Sequence, residues 1–276
     1  MTVRAFSRAL RRAALGLGLA ALVSVGTVAA QEYKETFNAA IEAAKAKQYQ
    51  QAYGLYQEAA DGARAAGDTD VEGKSNKILA QLDQIFGTQL LKQEKYEEAL
   101  SRFEHGIGHD PDYAVNYYNR GLALKKLDRV EEAVQSFSEA MARDDGKVAR
   151  QAESAIRSHF HAEASRLVAK ENPRASDADQ AIEYLDQVQQ LVEPNADTFY
   201  YLANAYSIKG DYEKAVAYAD QALEIHRGGR SDRAKIHFLK GEALMYSGNI
   251  TAAKGEFQEA RYGNYKASAE HYLETL

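Results

Sequence analysis

His105 and His109 lie four residues apart in the segment from His105 to Pro111 of this 276-residue chain. On a helix such a pair shares one face, and Asp110 beside it adds a carboxylate, the beginnings of a metal site. The reading we prefer is structural: Gly106, Gly108 and Pro111 mark a helix end, where imidazoles are favoured by the negative end of the helix dipole. His159 and His161 point to different faces and do less well as ligands. The acidic pairs Glu97-Glu98 and Glu131-Glu132 sit near helix starts, where carboxylates are favoured, and do not form an acid–base pair. No GxSxG, phosphate-loop, GxGxxG or HExxH arrangement occurs, and the chain has 0 cysteines, so thiolate chemistry, disulfides and a lipid-attachment cysteine are excluded. The expectation is a protein without catalytic residues, metal or cofactor.

The elements that carry these residues are helical. Only 3 prolines occur, and 45% of residues are apolar against 27% charged, a balance that supports a packed all-α core. The first thirty residues differ from the rest. Arg4, Arg8, Arg11 and Arg12 precede an apolar run from Ala13 to Val28, followed by Ala29 and Ala30, the layout of a secretory signal peptide over 1–30. The alternative, an uncleaved anchor, is disfavoured because the run is shorter than the roughly 20 residues a bilayer span needs. Arg11-Arg12 has flanks that fit a twin-arginine signal poorly. The expectation is therefore an exported, soluble protein of the periplasm or cell envelope that is not a lipoprotein and has no membrane span after cleavage. Cleavage after Ala30 removes four of the 34 basic residues, leaving 30 against 40 acidic ones and a net formal charge of −10. Nucleic acid and anionic lipid are poor partners for such a chain. The sequon Asn249-Ile250-Thr251 falls at a turn where Asn is wanted for its backbone, and is read as incidental.

The chain repeats itself. The thirteen residues from Lys95 superpose without gaps on those from Arg129, an offset of 34, which also relates Gly87 to Gly121, Ala99 to Ala133, Phe103 to Phe137 and Ala181 to Ala215. A 34-residue period of two amphipathic helices means a stacked solenoid. Short turns such as Lys209-Gly210-Asp211 and Ser247-Gly248-Asn249 separate the helices. The stretches from Tyr117 to Met141 and from Phe199 to Leu223 resemble the tetratricopeptide repeat family, with Tyr117, Gly121, Ala133, Phe137 and Ala140 in the family's bulky and small positions. The resemblance implies an all-α, right-handed α-solenoid of stacked helix-turn-helix repeats. About six units fill 31–263, with second helices beginning near Gln50, Tyr96, Val130, Ala178, Tyr212 and Ile250, and 264–276 forms a C-terminal capping helix. The pattern is loosest at Asp61–Asn76, read as a lengthened join, at the turn-rich insertion Glu171–Ser176, and at His226–Asp232, read as a tolerated surface insertion.

In that family, peptides or partner helices lie along a concave face lined by the first helices. Transferred here, the resemblance implies an inward stripe of Gln84, Thr88 and Leu91; Tyr118, Leu122 and Lys125; His161; Tyr200, Asn204 and Ser207; and Phe238, Glu242 and Met245. Rigid aromatics with an amide among them suit a polypeptide ligand, although each aromatic has inter-repeat packing as its other reading. The Lys and Asn clamp by which some members grip a C-terminal carboxylate is not found at these positions. The function expected is a protein–protein interaction scaffold or adaptor; the alternative is a small-molecule or lipid carrier using the same groove.

Overall fold

The computed structural model describes residues 32–276, so the signal-peptide expectation lies outside the described residues. Those residues are helical throughout, joined by short turns, and divide into two compact units at 149/150. The first holds α1 (32–45), α2 (Tyr49–Ala66), α3 (Thr69–Lys92), α4 (Tyr96–His109), α5 (Ala114–Lys126) and α6 (Val130–Met141). The second holds nearly all of α7 (Lys147–Val168), then α8 (Ala175–Leu191), α9 (Ala196–Ile208), α10 (Tyr212–Ile225), α11 (Arg230–Tyr246), α12 (Ile250–Glu259) and α13 (Lys266–Thr275), with a 3-10 turn at Gly263–Tyr265 before the last. Within each unit the helices stack as hairpins, an all-α solenoid. No helix of the described residues is long and apolar enough to cross a membrane.

Small-against-large packing holds the hairpins closed. A Cβ placed on Gly87 would lie 2.5 Å from Phe103 Cε1, one on Gly121 2.6 Å from Phe137 Cε1, and one on Gly241 2.8 Å from Phe257 Cε1. In the α9/α10 hairpin the small positions are Ala203 and Ala219, both fully buried. Repetition of the same ring-over-glycine contact explains why the sequence agrees at an offset of 34: a larger residue would drive the ring out of its place.

The turns that close the hairpins share one backbone geometry. After α3 the amides of Glu94 and Lys95 donate to the carbonyls of Leu91 and Leu90, and after α5 those of Asp128 and Arg129 donate to Lys125 and Leu124. The same pairing closes α9 with Gly210 and α11 with Gly248, a left-handed helix stop. Glycine takes that conformation at little cost, yet Lys47, Glu94 and Asp128 adopt it at φ 60°, 61° and 60°. Three departures from the sequence reading follow from helix extension and capping. Asp61–Asn76 is helical except at Gly67 and Asp68, so α2 and α3 are lengthened rather than their join. α8 begins at Ala175, inside the stretch read as an insertion, and Asp177 in its first turn reaches back to accept from the Arg174 amide at 2.8 Å. Only residues 226–229 lie outside helix after α10, with Arg227 donating to the Glu224 carbonyl at 2.9 Å.

Candidate functional site

The stripe residues fall into two environments. In the second unit they meet the end of the chain. Phe238 lies 5.2 Å from the Tyr265 ring and 5.9 Å from that of Tyr272, and Tyr272 stacks on Phe257 at 4.7 Å. The Tyr272 hydroxyl donates to Glu242 Oε1 at 3.3 Å, and Met245 packs into the same cluster. Burial pushes the Glu242 carboxyl above its ordinary range. Tyr200 pairs with the Tyr265 hydroxyl; burial first, then that neighbour, raises its phenol, and Lys235 Nζ stands 4.1 Å from its ring centre. His161 Nε2 lies 2.8 Å from Thr198 Oγ1 and its ring packs edge-on against Tyr201, so burial drives its pKa down to about 4. Of the polar residues in this group, Asn204 and Ser207 are half-buried without a side-chain hydrogen bond among the described residues. The turn before α13 and α13 itself thus occupy the face that Phe238, Glu242 and Met245 present.

In the first unit, Leu91, Leu122 and Lys125 come together. They line a cleft of about 590 Å³ with Lys92, Glu94, Tyr96 and Lys126. The cleft sits where the last turns of α3 and α5 meet the start of α4, so the shared left-handed stop after α3 helps set its geometry. Leu122 is half-buried and Lys125 exposed, which leaves an apolar floor under a charged rim. The other stripe residues of this unit have local roles. Gln84 Nε2 donates to Thr88 Oγ1 at 3.0 Å, while Thr88 returns its proton to the Gln84 carbonyl at 2.7 Å. The Tyr118 ring packs 5.7 Å from Phe137, and burial raises its phenol pKa. For Tyr118 the packing reading accounts for much of the ring.

Sequence reasoning missed a polar network inside the first unit. Asp83, fully buried on α3, accepts from Arg102 Nη1 at 3.1 Å and from the Tyr53 hydroxyl at 3.2 Å. His109 Nε2 stands 3.8 Å from the same carboxylate and 3.4 Å from the Tyr53 hydroxyl. Burial pushes Asp83 up and His109 down, each toward its neutral form, and carries Tyr53 to about 12. The network ties α2, α3 and α4 through hydrogen bonds around the fully buried Asp83 carboxylate, while Arg102 and His109 keep part of their surface in solvent. His109 therefore serves packing with Asp83, on another helix, rather than pairing with His105, which is exposed. Among the described residues no group of three or more His, Cys, Asp or Glu is placed to hold a metal. The signal for the network was available: Asp83 lies four residues from both Leu79 and Gly87, on a face otherwise apolar or small.

Helix hairpins stacked by glycine–phenylalanine contacts define a helical-repeat solenoid. Residues 114–146 and 196–228 match models of the tetratricopeptide repeat, so the chain carries such repeats in both of its units. A DnaJ homolog subfamily C member 7 homolog of Schizosaccharomyces pombe is 25% identical over 190 residues, 66% of this chain but only 38% of that protein. Among solved structures, YrrB, described as a tetratricopeptide-repeat protein with an unusual peptide-binding site, is 17% identical at a TM-score of 0.39, covering 71% of this chain and 92% of its own. PilF of Pseudomonas aeruginosa is 12% identical at a TM-score of 0.40, covering 88% of this chain and 98% of its own.

Proposed function

We propose that this protein is a non-catalytic scaffold that binds a partner polypeptide on the first-helix stripe of its repeats, acting after export to the periplasm or cell envelope. The carrying observation is the cleft under Leu91, Leu122 and Lys125, where first helices of neighbouring repeats offer apolar area beside hydrogen-bond donors. Such a surface suits an extended or helical segment, whose side chains take the floor while its polar groups meet the rim. Export is supported by the four arginines, apolar run and Ala29-Ala30 at the N-terminus. A small-molecule or lipid carrier would call for an enclosed apolar chamber, and a rim of three lysines does not favour it.

The test is retention of partners from envelope extract by wild type and by Leu122→Asp, after both are shown to have the same helicity and unfolding midpoint. A polypeptide held by wild type and released by Leu122→Asp supports the reading. Equal retention by both would move the interface off this stripe.

A further inference from the structure

We propose that the cleft of the first unit is selective for an acidic segment of its partner, in which carboxylates flank an apolar side chain. The inference deepens the polypeptide-binding reading and rests on it. Lys92, Lys125 and Lys126 rim the cleft, and none has an ion pair or side-chain hydrogen bond among the described residues. Glu94 is the one carboxylate lining it, so the cleft carries a surplus of positive charge. The chain as a whole is acidic, with 40 acidic residues against 34 basic ones, and although lysines elsewhere such as Lys47 and Lys77 also lack an ion pair among the described residues, three such lysines line this one cleft.

The three lysines stand in the last turns of α3 and α5, where the helix dipole favours a cation, but that preference does not require them to converge on one cleft. Their long stems cover apolar surface while the ammonium groups remain free to pair. Leu91 and Leu122 beneath them supply a floor for a Leu, Ile or Phe side chain. Recognition then has two parts: apolar burial supplies most of the affinity, and the unpaired ammonium groups select carboxylates over amides or cations.

The experiment is a selection of binders to the purified protein from a random-peptide display library, repeated with Lys92→Ala/Lys125→Ala/Lys126→Ala. A second variant, Lys45→Ala/Lys74→Ala/Lys77→Ala, carries the same charge change elsewhere on the unit. Wild type and the second variant should enrich peptides with Asp or Glu clustered around an apolar residue, and the cleft variant should not. The strongest synthetic peptide, followed by fluorescence anisotropy, should bind the cleft variant about tenfold more weakly, and wild type more weakly as salt is raised. Enrichment of neutral peptides that bind the cleft variant equally well would overturn the acidic selectivity while leaving polypeptide binding intact. Failure to enrich acidic sequences at all would also overturn it. Leu122→Asp distinguishes the two ideas: it should abolish neutral and acidic peptides alike if the stripe is the interface.

Discussion

Replacing Gly121 with Ala sets two effects of opposite sign against each other. In a helix interior Ala is favoured over Gly by about 1 kcal/mol, which alone would stabilise α5. The new Cβ, however, would lie 2.6, 2.8 and 3.0 Å from Phe137 Cε1, Cδ1 and Cζ. Carbon atoms in good contact stand roughly 3.5–4.0 Å apart, so the ring must retreat by about 1 Å. Phe137 is 2% exposed, so its retreat must displace buried neighbours. Overpacking of this kind costs about 1–3 kcal/mol, and with three ring atoms at 3.0 Å or closer the upper part of that range applies, for a net loss of about 1–2 kcal/mol. Gly255 on α12 is the control, since no heavy atom lies within 4 Å of its built Cβ; Gly255→Ala should gain about 0.5–1 kcal/mol. Urea unfolding followed by circular dichroism reads both, and Phe137→Leu should rescue Gly121→Ala in the double variant. If Gly121→Ala proves as stable as wild type or more so, close ring-over-glycine packing is not what holds the hairpins together.

Two further outcomes follow from the second unit. His161 is neutral in the folded state with a pKa near 4, below its ordinary 6.5, so its contribution is complete above about pH 6.5 and falls away as the pH drops toward 4. For one such group the slope is at most about 1.4 kcal/mol per pH unit, less for a side chain that is only partly buried. The stability difference between wild type and His161→Gln should change across that window and be level above it; a difference independent of pH would refute the burial assignment. Tyr272→Ala removes the ring stacked on Phe257 and the donor to Glu242. It should cost about 3 kcal/mol and speed amide hydrogen exchange in α11, whereas Tyr272→Phe, which keeps the ring, should cost about 0.5–1.5 kcal/mol. Unchanged exchange in Tyr272→Ala would show that α13 does not cover Phe238.

The fold was legible where one physical constraint repeats. Glycine beneath phenylalanine recurs at the spacing of one hairpin, and the 34-residue offset is that constraint read along the chain. The turns were legible only where glycine supplies the left-handed residue. At Lys47, Glu94 and Asp128 the hairpin closes through the same conformation without the residue that advertises it. The stretch Asp61–Asn76 read as a join because its small and polar residues hide two extended helices. At the site, spacing along first helices picked out residues facing one way but could not say what stands in front of them. Leu91, Leu122 and Lys125 line a cleft, whereas Phe238, Glu242 and Met245 face tyrosines from the end of the chain, a pairing set by tertiary packing. Asp83 was passed over because a lone carboxylate on an apolar face gains meaning only when Tyr53, Arg102 and His109 are brought to it from two other helices.

The central claim is that a partner polypeptide contacts the first-helix stripe of the first unit. The most direct measurement places a photo-crosslinking amino acid at Leu122 in one sample and at exposed Gln135 on α6 in another, irradiates each in envelope extract, and compares the products. The account predicts a discrete polypeptide adduct from position 122 that is absent from position 135 and is competed away by an acidic peptide selected on the cleft. Adducts from position 135 alone, or equally from both, would contradict it.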